Sequence, residues 1–417
     1  MIHRTLAIVP RCAHNRSIWP ALAALALTTG LTSGRAGTPT IAWEQVYFER
    51  PTTLVRSPSG LDAVTFGNGM FVAVGDSIMV STNGSDWTKI GSPTRQTLHS
   101  VTFGGNKFVA VGGGFFRRAA GPGFSAIVVS EDGFHWTTVL ERKIEALVPD
   151  EQGLRDFFLR DVIYAKNQFV AVGGGNGKVV MTSPDGLNWT EVTTDVLRAS
   201  NAIAFGNGKY VLAGNSVMTS DDGVHWTEQH LDFGVELFEV AFGAGRFVAC
   251  GNGVMITSPD GIHWTNGWTQ SLADFWGCAF GQGVFVCPEN TQLALVGNPD
   301  GEWTAESLLS DPNEVWGLGG VVYADGQFIA VGEFNLILRG RIAAHRPSFA
   351  AGSSNRSGQG FEFNLGVELN RNYEIQLSED LVSWRTLTNL SSSAPVLKFT
   401  APDEPRVNHR FYRAIAK

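Results

Sequence analysis

The chain has 417 residues, of which only 17% are charged, and it contains 49 glycines, 27 phenylalanines and 12 tryptophans. Its formal charge of −8 argues against nucleic acid or an anionic membrane surface as a partner. This composition, with no long helix-forming tract after the first forty residues, favours an all-β protein with few helices.

Residues 1–36 are typical of a secretory signal. Arg4, Arg11 and Arg16 precede the apolar run Ile18 to Leu27, and Gly34-Arg35-Ala36 forms a small-x-small cleavage site. The run is too short to span a bilayer, so we expect cleavage near Ala36 and a secreted, periplasmic or extracellular mature chain that is not inserted in the membrane. An uncleaved anchor is the alternative. The mature chain would have 27 basic and 39 acidic residues, a formal charge near −12.

The motif SPDGIHW, which begins at Ser258, recurs along the chain as near-copies at Ser81, Ser130, Ser183 and Ser220, and as a shorter copy at Asn298. Ser and Asp side chains accept backbone hydrogen bonds in turns, Gly permits positive φ, and Trp can fill the space between neighbouring layers. We therefore predict a structural role for Ser81, Asn83, Trp87, Ser130, Asp132, Trp136, Ser183, Asp185, Trp189, Ser220, Asp222, Trp226, Ser258, Asp260, Trp264, Asp300 and Trp303.

A second repeat has an aromatic residue after an apolar stretch, at Phe66, Phe103, Tyr164, Phe205, Phe242, Phe280 and Tyr323. These residues mark seven units, of which the first six each have four β-rich segments separated by Gly/Asn turns, and this pattern predicts a seven-bladed β-propeller over residues 37–342. The last unit lacks its fourth strand, and Ile41 to Val46 resembles that strand. We therefore expect the N-terminal strand to close the ring.

After the propeller, residues 343–360 are polar and rich in Gly and Ser, as in a linker. Alternating apolar positions follow in residues 361–417, beginning with Phe361, Phe363 and Leu365, and predict a small β-sandwich.

The S-x-D-G-x-x-W repeats resemble the Asp boxes of sialidase-like and BNR-repeat propellers, including the photosystem assembly-factor type, over Ile41 to Ile342. Here one residue fewer separates Asp from Gly than in the commonest Asp box. The sialidase resemblance would imply an arginine triad, a Tyr nucleophile and an R-I-P signature, and none of these is found, so sialidase activity is not expected. The stretch YEIQLSEDLVSW is similar to a sandwich module that ends many exported bacterial proteins.

We expect a ligand site on the propeller face that carries two long connections, Gly112 to Ala126 and Leu140 to Phe158, because long connections in compact folds are often functional. The residue four positions before each repeated aromatic also points to this face. We call these the rim residues. They are Asp62, His99, Arg160, Asn201, Phe238 and Trp276, with Gly319 in the last unit and Trp316 close by, and Arg117 and Arg118 lie in the first connection.

Polar and aromatic rim residues suit a glycan or a protein partner, so an exported binding or scaffold protein is the main prediction. One alternative is a glycoside hydrolase or polysaccharide lyase that uses His99, Asp62, Asp161 or Glu239 as acid and base. Another is an assembly factor for a partner protein. A further alternative is that the rim residues are solvent-exposed positions that share no ligand. The oligomeric state stays open.

No cofactor or metal site is predicted, because His135, His225 and His263 lie in three separate units. Cys278 and Cys287 lie nearly opposite each other on strands joined by a tight turn. A cross-strand disulfide and two buried thiols are both consistent with this spacing. Cys250 has no expected partner and is interpreted as a buried thiol.

Overall fold

The computed structural model describes residues 41–49, 60–114, 123–144, 158–173, 179–192, 198, 200–231, 234, 236–289, 293–298, 303–308, 317–342, 348–349, 355–357, 360–366, 372–378, 383–391, 396–402 and 411–416. The chain divides into two units, 1–37 and 38–417. The first unit, which includes all of the predicted secretory signal, lies outside the described residues. Every regular element in the described residues is a strand. No helix that could cross a bilayer occurs in this part of the chain.

The strands form successive antiparallel sheets along the chain. After β1 (Ile41–Tyr47), the first sheet contains β2 (Leu61–Gly67), β3 (Met70–Gly75), β4 (Ile78–Ser81) and β5 (Thr88–Ile90). The second contains β6 (Leu98–Gly104), β7 (Lys107–Gly114), β8 (Gly123–Ser130) and β9 (Thr137–Ile144). The third contains β10 (Leu159–Ala165), β11 (Gln168–Gly173), β12 (Val179–Ser183) and β13 (Thr190–Glu191).

The same order continues in the following sheets. The fourth contains β14 (Ser200–Gly206), β15 (Lys209–Gly214), β16 (Val217–Ser220) and β17 (Thr227–Gln229). The next contains β18 (Leu237–Gly243), β19 (Arg246–Ser258) and β20 (Thr265–Asp274), where β19 is one continuous strand in place of the two that the repeat predicts. Then come β21 (Ala279–Gly281), β22 (Val284–Pro288), β23 (Leu293–Gly297) and β24 (Trp303–Ser307), followed by β25 (Leu318–Ala324), β26 (Gln327–Gly332) and β27 (Ile337–Ile342).

The N-terminal strand completes the sheet that contains β25, β26 and β27. β1 pairs antiparallel with β27, with Ile41 opposite Ile342 and Gln45 opposite Leu338. This pairing supplies the fourth strand that the last repeat lacks. It also covers an edge that would otherwise expose unpaired backbone groups.

Each sheet shares a hydrophobic core with the next, and the array closes on itself. Leu61 and Val64 of β2 pack in one cluster with Ile329 and Val331 of β26, so the last sheet contacts the first. Each unit also contributes three aromatic rings to the core, as in Phe66, Phe71 and the motif Trp87, whose successive centroids are 4.7 and 6.3 Å apart. Phe66, Phe71 and Trp87 pack in the cluster that the first and last sheets share, so these rings line the interface between sheets.

The glycine that follows the repeated aromatic lets neighbouring sheets approach. A Cβ on Gly67 would lie 2.0 Å from Cγ of Phe103 in the next sheet, and a Cβ on Gly104 would lie 2.0 Å from Cγ of Tyr164. Each aromatic ring thus sits directly on the glycine backbone of the preceding sheet.

Two segments differ from the sequence prediction. Gly112 to Ala126 was expected to be a loop, but β7 and β8 continue as a paired ladder as far as Gly114 opposite Phe124. β9 likewise extends to Ile144 within the second predicted connection. Only residues 115–122 and 145–157 of these connections lie outside the described residues.

The C-terminal strands form two further sheets. One contains β28 (Ser348–Phe349), β29 (Asn355–Ser357), β30 (Gly360–Gly366) and β33 (Val396–Pro402), and the other contains β31 (Asn372–Ser378), β32 (Arg385–Ser391) and β34 (Phe411–Ala416). Leu365, Tyr373, Ile375 and Phe399 of both sheets share one core. β28 and β29 fall in the segment predicted as a linker, and both pair with β30.

Candidate functional site

The motif turns use their polar side chains to hold the backbone. In the turn after β16, Ser220 Oγ accepts a hydrogen bond from the Gly223 N–H at 2.8 Å, and Asp222 Oδ1 accepts from the N–H groups of Val224 and His225, both at 2.8 Å. Trp226 Nε1 donates to the Gly223 carbonyl at 3.1 Å. The turns that contain Asn83, Asp132, Asp185 and Asp260 repeat this arrangement. Asp300 lies outside the described residues, and Trp303 packs 6.4 Å from Phe285.

These contacts lower the pKa of the motif carboxyls. His225 donates to Asp222 from its ring and its backbone, and these hydrogen bonds hold the pKa of Asp222 well below its usual range. The hydrogen bonds in the corresponding turns lower the pKa of Asp132 and Asp185 in the same way, and that of Asp260 against the opposing effect of its burial. Since both carboxylate oxygens serve the turn itself, these residues have little capacity left for an external ligand.

The motif turns share one face with the short turns between the first two strands of each unit. Asn207 Nδ2, in the turn before β15, donates to the carbonyls of Gly245 at 3.1 Å and Pro259 at 2.7 Å in the next unit. Gln168 Nε2 likewise donates to the Asp222 carbonyl at 2.7 Å. The rim residues precede or begin the first strand of their units, at the opposite end of that strand.

Asp62 and His99 form a direct contact at the rim between neighbouring units. His99 Nδ1 lies 2.8 Å from Asp62 Oδ2, and His99 Nε2 lies 2.8 Å from the carbonyl oxygen of Gly113. Both ring nitrogens of His99 therefore face acceptor oxygens. The pair is partly open to solvent, with 23% of the His99 side chain and 43% of the Asp62 side chain exposed.

Arg160 continues this polar arc in the third sheet. Its guanidinium carbon lies 4.6 Å from the ring centroid of Phe158, and Phe158 in turn packs edge-on against His99 at 6.5 Å. Burial lowers the pKa of Arg160, while the carboxylates of Asp62 and Glu236 oppose that shift. The buried Nε of Arg160 has no hydrogen-bond partner among the described residues.

The aromatic half of the rim is a stacked pair. The rings of Phe238 and Trp276 are nearly parallel, with an interplanar angle of 10° and centroids 4.4 Å apart, and both side chains are partly exposed. Asn201 donates through Nδ2 to the Leu237 carbonyl at 2.7 Å, so its amide is partly used to hold the start of β18. Arg117, Arg118 and Trp316 lie outside the described residues.

Asp161 and Glu239 occupy equivalent positions one residue beyond the rim. Asp161 accepts hydrogen bonds from Ser100 Oγ at 2.6 Å and from the N–H groups of Val162 and Ile203, both at 2.8 Å. Glu239 accepts from the Val240 N–H at 3.0 Å. Burial raises the pKa of both carboxyls, and Asp161 further raises that of Glu239. Asp161 therefore links three neighbouring sheets, a role that sequence reasoning did not assign to it.

The two cysteines predicted to face each other are in contact. The Sγ atoms of Cys278 and Cys287 lie 2.7 Å apart, and both residues are free thiols in the structure. Cys250, which sequence reasoning left without a partner, lies in the same hydrophobic cluster.

Two kinds of comparison bear on the fold. A family model described as the DUF6242 beta propeller domain matches residues 132–305. The chain contains a β-propeller. No curated protein matches its sequence significantly.

Solved structures agree with this fold at low sequence identity. A structure of YCF48 bound to a D1 peptide has 15% identity and a TM-score of 0.53, and the alignment covers 75% of this chain and 100% of that one. A catalytically inactive virginiamycin B lyase from Staphylococcus aureus with quinupristin has 10% identity and a TM-score of 0.57, with 73% and 100% covered. The WD40 propeller domain of Doa1 has 11% identity and a TM-score of 0.51, with 73% and 98% covered. At these identities the similarity concerns the fold alone.

Proposed function

We propose that this chain is an exported, seven-bladed propeller of the Asp-box type, closed by its N-terminal strand and followed by a C-terminal β-sandwich, and that it binds a protein partner at the rim without chemical turnover. The seven repeated aromatics and the sheets that follow one another support the blade count. The signal-like residues 1–36 support export.

The observation that carries the binding proposal is the buried Nε of Arg160, which lacks a hydrogen-bond partner among the described residues. A guanidinium held against Phe158 is suited to donate hydrogen bonds to a carboxylate or carbonyl oxygen of a ligand. Because Nε is closed to solvent, a ligand oxygen reaches it only after a local rearrangement of side chains, and pairing then removes the cost of an unsatisfied donor. We therefore expect the partner segment to place an acidic group at Arg160.

The stacked pair Phe238 and Trp276 adds an exposed apolar platform on the same face. Such a platform suits an aromatic or aliphatic side chain of the partner. An extended peptide that carries one acidic and one large apolar residue would contact both halves of the rim. The structure of YCF48 with a D1 peptide provides a precedent for peptide binding by a similar fold. An assembly factor would be one protein of this kind.

The experiment that tests this proposal exposes the full chain to two libraries in parallel, a random peptide display library and a glycan array, and analyses both for released products. We expect enrichment of acidic peptides with a large apolar residue and no products. If only glycans bind, the ligand of the rim is a carbohydrate and the proposal of a protein partner is wrong. Absence of binding to both libraries would refute the rim as a ligand site.

A polysaccharide-active enzyme is the second candidate, favoured by the Asp62 and His99 pair at 2.8 Å. A general base needs a nitrogen lone pair that faces the substrate. Both nitrogens of His99 already face acceptors, which weighs against this role. Turnover of a polysaccharide that is lost in His99→Ala, and retained in a His225→Ala variant on the opposite face, would establish the enzyme instead.

A further inference from the structure

Three cysteines from two neighbouring sheets meet in one buried cluster. Cys250 lies on β19, Cys287 lies on β22, and Cys278 immediately precedes β21. The Sγ atoms of all three lie within 4.8 Å of one another. Cys250 and Cys287 are fully buried, and Cys278 is 9% exposed.

Comparison with other units of the repeat shows that three thiols are a special feature of the interface between the sheet that contains β19 and the sheet that contains β22. In the first and second sheets, the residues equivalent to the three cysteines are Val74, Val101 and Ala110, which pack together in a shared core. The second and third sheets have Val111, Val162 and Ala171 at these positions. A propeller interface of this type therefore packs well with three apolar residues. Packing alone does not account for three thiols at a single interface.

The separation of the sulfurs fits one ion. With two sulfurs 2.7 Å apart and none separated by more than 4.8 Å, one point lies within about 2.5 Å of all three, close to a Zn–S distance of about 2.3 Å. Cys278 and Cys287 would need to separate by about 1 Å, because ligand sulfurs around one ion stand further apart than 2.7 Å.

A carboxyl group also lies beside the thiols. Glu239 is the direct cross-strand partner of Cys250, and it interacts electrostatically with both Cys250 and Cys287. Thiolate ligands select thiophilic ions such as Zn²⁺.

We propose that Cys250, Cys278 and Cys287 bind one thiophilic divalent cation of the Zn²⁺ class, next to the Glu239 carboxyl group. Binding converts three thiols to thiolates and releases their three protons to solvent. A disulfide between Cys278 and Cys287 would use two of the three ligands, so the site requires the reduced protein.

The test is a titration of the full chain, kept reduced with a phosphine, with Cd²⁺ as a spectroscopic substitute for Zn²⁺. The site predicts one equivalent of Cd²⁺ with an ultraviolet thiolate-to-Cd²⁺ charge-transfer band, and a higher melting temperature with Zn²⁺ because the ion binds only the folded state. Cys250→Ser should weaken binding by more than about 100-fold, since a ligand is lost outright.

Two variants keep the outcome readable. Met255→Leu alters the same hydrophobic cluster without removing a thiol and should leave the band unchanged. Cys250→Val places at this position the residue that the repeat has at Val74, so this variant should fold and still lose the band. Equal Cd²⁺ binding by Cys250→Val and wild type, or no uptake by the reduced wild type, would overturn the proposal.

Discussion

Asp161→Ala offers a direct test of how the propeller holds its sheets together. Asp161 accepts one hydrogen bond from Ser100 of the second sheet, one from Val162 of its own sheet and one from Ile203 of the fourth. The substitution leaves the buried N–H of Ile203 without its acceptor, whereas the Val162 N–H keeps Ser100 Oγ at 3.2 Å. One unsatisfied buried donor costs about 1–3 kcal/mol, and removal of a buried carboxyl returns part of that cost. We expect a net loss of about 1–3 kcal/mol in the free energy of unfolding.

Glu239→Ala is the matched control for this substitution. Glu239 has the equivalent position in the fifth sheet, but it accepts only the Val240 N–H, at 3.0 Å. The fourth sheet already has an alanine at this position, Ala202, so the repeat tolerates the small side chain. We therefore expect Glu239→Ala to cost no more than about 1 kcal/mol.

The assay is equilibrium urea unfolding of both variants at neutral pH, monitored by tryptophan fluorescence and repeated near pH 4. Because burial raises the pKa of Asp161 above its unfolded value, its carboxyl favours the folded state more at low pH. This stabilisation by Asp161 is lost as the pH rises from the pKa of the unfolded state to the higher pKa of the folded state. The free-energy cost of Asp161→Ala should therefore be larger near pH 4 than at neutral pH. Equal unfolding midpoints for Asp161→Ala and Glu239→Ala would refute the bridging role.

Two further predictions concern packing and acid stability. Gly206→Ala should lower the melting temperature strongly, because its Cβ would lie 2.1 Å from Cγ of Phe242, whereas Gly91→Ala has nothing within 4 Å and should be nearly neutral in the same thermal melt. Asp222→Ala should destabilise the fold by about 1 kcal/mol and Asp222→Asn by less, since Asn retains the Oδ1 acceptor. Because the pKa of Asp222 is lowered in the folded state, its carboxylate stabilises the fold above the pKa of the unfolded state, and this stabilisation is lost as the pH falls below about 4. Acid should therefore destabilise wild type more than Asp222→Asn. Parallel acid unfolding curves for the two proteins would contradict this.

The local chemistry of the turns could be predicted from sequence because it spans few residues. Ser220 and Asp222 reach backbone groups two or three residues away, so their spacing alone defines the contacts. The strand that closes the last sheet was also predictable, because the last repeat visibly lacked one strand and Ile41 to Val46 matched it. β1 does pair with β27.

Contacts between units were harder to predict. Phe238 and Trp276 were both expected on the rim, but their stacking depends on the distance between neighbouring sheets, which the repeat period does not give. Cys250 was left without a partner for the same reason. Aligning the units would have supplied the signal, since Val74 and Val101 hold the equivalent positions of Cys250 and Cys278 and pack in one core.

Phe158 and Glu236 were missed because they lie outside the repeated strand positions. Phe158 precedes β10, and its ring supports the guanidinium of Arg160. Glu236 precedes β18 and opposes the lowering of the Arg160 pKa by burial. The available signal for both residues was an aromatic or charged side chain at a non-repeated position just before the first strand of a unit.

The most direct test of rim binding is calorimetric titration of the enriched peptide into wild type, Arg160→Ala with Trp276→Ala, and Val224→Ala. Val224 is 40% exposed on the opposite face and provides the matched control. Loss of one hydrogen bond to a charged group, about 1.5–3 kcal/mol, predicts at least a tenfold weaker dissociation constant for the double variant. Val224→Ala should match wild type. Unchanged affinity in a folded double variant would contradict binding at the rim.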